Sequence, residues 1–110
     1  MIKRIWHGWT TLENADKYQT LLHNHVFPGI EAKNIPGLLS IELLRRDHKT
    51  EAEFVVIMAF RSLQNVIDFQ GDDYSRAYVP EEAREVLKRW EERADYYEIK
   101  EYRKHDHSDA

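Results

Sequence analysis

With 110 residues and no cysteine, the chain has room for one hydrophobic core and cannot rely on disulfides, thiolate metal sites or a cysteine nucleophile. Its net charge of −4 arises from 20 acidic residues scattered among 16 basic ones, so no basic groove for nucleic acid is expected. No apolar run is long enough to span a membrane and no charged-then-apolar start is visible, so a cytoplasmic, globular protein is expected.

Residues 2 to 10, IKRIWHGWT, alternate polar and apolar positions with β-branched and aromatic members, which predicts a strand. From about Asn14 the period lengthens. Ala15, Tyr18, Leu22, His25, Val26 and Gly29 recur at helical spacing, and Pro28-Gly29 is expected to kink or end that helix. NIPGLLSIELLRR reads as a turn feeding a second strand, and EAEFVVIMAFRS, after the polar DHKT, as a third whose centre is apolar enough for burial on both faces. Ser62 is the expected N-cap of a short helix with Leu63, Val66 and Ile67 inward and Gly71 closing it. Pro80 is placed to start a further helix with Ala83, Val86, Leu87 and Trp90 as its buried stripe and Glu85 to Arg89 as an i,i+4 pair. ADYYEIKEY is the expected last strand, and residues 105–110 an expected frayed tail.

The order strand, helix, strand, strand, helix, strand, with one extra helix, predicts an α+β ferredoxin-like sandwich over residues 1–104, with helices on one sheet face. On the first strand the odd positions Ile5, His7 and Trp9 are assigned to the helix side. Trp6, with Phe54, Val56, Met58 and Phe60, is assigned to the opposite face, and an uncovered apolar face of that size predicts a homodimer formed through it.

Taken together, RIWHGWT as first strand, IPGLLSIELLRR as second, FVVIMAFRSLQNVIDFQGDD as third strand plus helix and YYEI as last strand resemble the antibiotic biosynthesis monooxygenase family of the dimeric α/β barrel superfamily, over roughly residues 2 to 102. The resemblance implies a dimeric α/β barrel with a pocket in each protomer between helices and sheet. It implies that the pocket takes a small planar aromatic or quinone-like molecule and oxidises it with molecular oxygen, with no bound flavin and no metal. In the haem-degrading branch of the family the functional residues are a first-strand asparagine, a tryptophan on the helix after the third strand and a histidine further along. The matching positions here hold His7, Phe69 and the neighbourhood of Tyr78 and Val79, where there is no histidine.

Within that frame His7 is the candidate catalytic residue. A neutral imidazole facing the pocket would take the proton of a phenolic substrate and so make its ring reactive toward oxygen. The alternative is a structural histidine bonded to a buried carbonyl or tyrosine. Trp9, His25, Ala59, Phe69, Tyr74 and Tyr78 are the expected substrate-binding residues, with Tyr74 and Tyr78 one helical turn apart at the pocket mouth. His7 and His25 lack a carboxylate at ligand spacing, so no metal site and no cofactor are assigned. Two functions remain open: a cofactor-independent monooxygenase, and a non-catalytic dimeric module that binds or senses a small apolar ligand. A cofactor-free isomerase or cyclase would use the same histidine without consuming oxygen.

Overall fold

In the computed structural model, which describes residues 1–106, one antiparallel sheet organises the chain. Strands β1 (Ile2–Thr10), β2 (Leu38–Asp47) and β3 (Ala52–Phe60) lie in the order β2-β3-β1. The free edge of β1 is covered by two short strands, β4 (Arg89–Trp90) opposite Gly8 and Trp9, and β5 (Asp95–Glu98) opposite Ile2 to Ile5. The predicted last strand, ADYYEIKEY, is found as the shorter β5, Asp95–Glu98, and β4 is an addition to the predicted elements. Last-first-third-second is the ferredoxin-like strand order, so the α+β sandwich stands. The expected tail falls partly at residues 107–110, outside the described residues.

Helices α1 (Ala15–Leu21) and α2 (Phe27–Glu31) are joined by a π-helical turn, Leu22–Val26. Pro28-Gly29 does not end the helix, contrary to expectation. Pro28 falls in the first turn of α2, where a missing N–H is tolerated, and Ala32 N still donates to Pro28 O at 2.9 Å. Helix α3 (Leu63–Gln70) has the predicted caps: Ser62 Oγ accepts from Asn65 N at 3.2 Å, and Gly71 ends it at φ 91°. Helix α4 (Glu81–Val86) is shorter than predicted. Leu87 is already extended, Lys88 N donates to Trp9 O at 2.7 Å, and Trp90 enters β4. Backbone pairing on the open edge of β1 has outweighed the helical period of Val86, Leu87 and Trp90. Arg89 is accordingly freed from Glu85 and pairs with Glu51.

The core lies between helices and sheet. Tyr18 meets Phe54 edge-on at 4.9 Å, with Trp6, Leu22, Val56, Ala83 and Leu87 around them, and a second cluster of Ile35, Phe60 and Val66 joins it through Met58 and Tyr96. These contacts reverse the expected sidedness of β1. Its even residues Arg4, Trp6 and Gly8 face the helices, whereas Ile5, His7 and Trp9 lie on the other face with Ile57, Val55 and Glu53 of β3, their paired neighbours. The residues predicted to face a partner, Trp6, Phe54, Val56, Met58 and Phe60, are under the helices instead. Gly8 explains the choice. A Cβ there would lie 2.7 Å from Trp6 Cη2 and 3.3 Å from Leu87 Cδ2, so the missing side chain makes room for an indole beneath Leu87.

Candidate active site

Between helices and sheet lies a cavity of about 450 Å³. Its floor is Arg4 and Trp6 of β1 with Val56, Met58 and Phe60 of β3. Tyr18, Leu22, Val26, Phe27 and Ile30 form its roof, and Lys33, Phe69, Gln70, Tyr78 and Val79 contribute to its rim. The roof positions follow from the π turn, because one extra residue in that turn brings both Val26 and Phe27 over the sheet after Leu22.

The wall is mostly apolar and aromatic, with few polar groups, as small-molecule sites usually are. Trp6 is held in place by Nε1, which donates to Glu91 O at 2.7 Å. Arg4 is only 8% exposed, yet its Nε is buried without a hydrogen-bond partner. The Tyr96 side chain stands across the β1–β5 pair from the guanidinium, and the Tyr96 hydroxyl donates to Tyr74 O at 3.2 Å. Burial raises the Tyr96 phenol above its ordinary range, and the nearby Arg4 charge opposes the shift. Burial raises the Tyr18 phenol further, so both phenols are neutral at physiological pH. Among the described residues, no carboxylate and no imidazole lines the cavity. At the rim Lys33 Nζ lies 5.4 Å from the centre of the Phe69 ring.

Of the residues expected to bind substrate, Phe69 and Tyr78 line the cavity, Tyr78 at its mouth with 79% exposure. The others are elsewhere. His7 faces away from the cavity: its Nδ1 is 2.9 Å from Glu91 Oε1, which also accepts from the His7 backbone N at 2.8 Å, and its ring stacks on Trp9. Its Nε2 is 3.9 Å from Glu53, whose carboxyl is held below its usual range mainly by a hydrogen bond from His48. His7 is thus held between Glu91 and Glu53 on the outer face, with Glu91 supplied by the segment between β4 and β5.

Trp9 and Ala59 share that outer face, and the Arg89 guanidinium lies 4.1 Å from the centre of one Trp9 ring. His25 is exposed on the π turn, which rotates it off the inner stripe that a regular helix would have given. Tyr74 packs edge-on against Tyr96 at 5.2 Å and contacts the Ile35, Phe60 and Val66 cluster. Tyr74 and Tyr78 do not share a helical turn, because Arg76 between them forms a β-bridge with Arg93. Among the described residues, no three His, Cys, Asp or Glu side chains are grouped to hold a metal, and no helix is long and apolar enough to cross a membrane.

Sequence reasoning missed Arg4, Trp6, Tyr18 and Lys33. A signal was present for the first: a basic residue on an apolar strand, two positions from Trp6 and therefore on its face.

No family model matches the chain, and no curated protein sequence matches it significantly. Among solved structures it is similar to a crystal structure described as a "putative antibiotic biosynthesis monooxygenase from Bacillus cereus", with a TM-score of 0.66, 10% sequence identity, and coverage of 94% of this chain and 97% of that one. At that identity the likeness is one of fold.

Proposed function

We propose that the chain binds a small, flat aromatic or quinone-like molecule in the cavity between helices and sheet and oxidises it with molecular oxygen. The observation that carries this reading is the cavity itself, walled by Trp6, Tyr18, Phe27, Phe60 and Phe69, in a fold shared with the Bacillus cereus protein. In such a reaction a ring CH2 becomes C=O, with one oxygen atom entering the product and the other leaving as water. The aromatic wall orients the ring and excludes solvent, and the Arg4 charge favours the ionised form of a ring hydroxyl or enol, the electron-rich state that reacts with oxygen. His7 has no part in this reading.

One observation favours the non-catalytic alternative: among the described residues, no carboxylate or imidazole lines the wall. Oxygen uptake measured with anthrone as probe, alongside quenching of tryptophan fluorescence, separates the two. Uptake with one ketone formed per oxygen consumed supports the oxygenase. Quenching without uptake supports the binding module, and neither signal refutes both. His7→Ala is expected to leave uptake and quenching at wild-type levels, and a large loss of uptake in a folded variant would restore the histidine as a catalytic candidate.

We also infer that a second copy of the chain covers the open sheet face. Ile5, Trp9, Leu44, Val55, Ile57 and Tyr97 give that face an apolar strip, and the pairs Lys3–Glu42 and Arg46–Glu53 place both signs of charge around it. A face carrying both signs is able to meet its own copy about a two-fold axis.

A further inference from the structure

We propose that the occupant of the cavity carries an anionic oxygen group, a carboxylate or an ionised phenol or enol, and that Arg4 is the residue that reads it. The proposal rests on the cavity being a ligand site and adds the chemical class of the ligand. Arg4 is more than nine-tenths buried, lines the cavity floor, and holds a buried Nε–H with no acceptor. A guanidinium donor in that state is costly. A ligand oxygen is the acceptor the site lacks.

The charge balance points the same way. Although the chain as a whole carries −4, the charged residues lining the cavity, among those described, are Arg4 and Lys33, both cationic. The nearest acids on neighbouring strands are engaged elsewhere. Glu98 shares the helix-side face beside Ile2 but is exposed and paired with Lys100 at 3.1 Å, and the Glu91 carboxylate is turned to His7 on the opposite face. The field of Arg4 therefore enters an apolar cavity without a protein counter-charge, where it acts more strongly than in water. A neutral carbonyl would satisfy the hydrogen bond but not the charge. An anion satisfies both, with its flat body against Trp6, Tyr18 and Phe60.

The test compares 2-naphthoate with the neutral 2-naphthalenemethanol, following tryptophan fluorescence of the full chain. The proposal expects naphthoate to bind at least about tenfold more tightly, the scale of one charge-assisted hydrogen bond. Arg4→Met should abolish that preference while still binding the alcohol, and should melt no lower than wild type because it removes the unpaired donor. Lys17→Met, at an exposed cation of α1 outside the cavity lining, should keep the preference. If Arg4→Met does not fold, Arg4→Lys, which keeps the charge and loses Nε, should show a reduced preference. Titrating bound 2-naphthol by absorbance distinguishes the two sources: an ionisation lowered by a unit or more marks the phenolate as readable, and an unshifted one confines the assignment to carboxylates. Equal affinities in the wild type, a preference that survives Arg4→Met, or one lost in Lys17→Met overturns the proposal and leaves the cavity reading intact. Failure of both probes to bind overturns both.

Discussion

Replacing Gly8 with alanine puts a methyl carbon 2.7 Å from Trp6 Cη2, 3.1 Å from Cζ3 and 3.3 Å from Leu87 Cδ2. Ordinary carbon separations are about 3.5–4.0 Å, so the indole must retreat by on the order of 1 Å. It is poorly free to do so, being 6% exposed and tethered by Nε1 to Glu91 O at 2.7 Å. Overpacking of this kind costs about 1–3 kcal/mol, and in a domain of this size each kcal/mol lowers the melting temperature by about 4–8 °C. Because Trp6 forms part of the cavity floor, the displaced ring should also weaken binding of 2-naphthalenemethanol. Thermal melts and fluorescence titrations of Gly8→Ala read both effects. Gly29→Ala in α2 is the control, since its Cβ would meet nothing within 4 Å, and it should be neutral or stabilising by up to about 1 kcal/mol. If Gly8→Ala melts and binds like wild type, the Trp6 ring does not lie over Gly8, and the assignment of the even β1 face to the helices fails with it.

Thr10 is fully buried and its Oγ1 donates to Val86 O at 2.6 Å, so Thr10→Val should leave that carbonyl unpaired and cost about 1–3 kcal/mol in urea denaturation. The Tyr18 phenol is raised by burial, so above the ordinary value of 10.0 the unfolded chain releases a proton that the folded chain keeps, and stability falls as pH rises from there. Tyr18→Phe should flatten that alkaline decline in melting temperature, and an unchanged slope would show the hydroxyl to be solvated. Ile57→Lys on the open sheet face should convert a sedimenting dimer to monomer, and a wild-type chain that is a folded monomer at micromolar concentration would refute the homodimer.

What the sequence determined alone was the set of local choices: the alternation of β1 and β3, the helical period after Asn14, the cap at Ser62 and the stop at Gly71, and from their order the ferredoxin-like sandwich. Each of these depends on neighbours within a few residues. Phe69, named through the family resemblance, and Tyr78, named from its place in the loop after α3, also prove to line the cavity. Sidedness was not legible in the sequence. Both faces of β1 carry an aromatic residue and an aliphatic or glycine position, so alternation states that two faces exist without saying which is covered. Only the tertiary structure decided it, by seating Trp6 in the space left at Gly8 beneath Leu87, and that contact sent His7 out and Arg4 in. The same holds for Trp90, drawn from a helical stripe into β4 by unpaired backbone groups on a distant strand, and for His25, turned outward by one π turn. Period and capping are local energies of the chain, whereas the burial of a particular face is settled by volume that residues far apart in sequence must fill together.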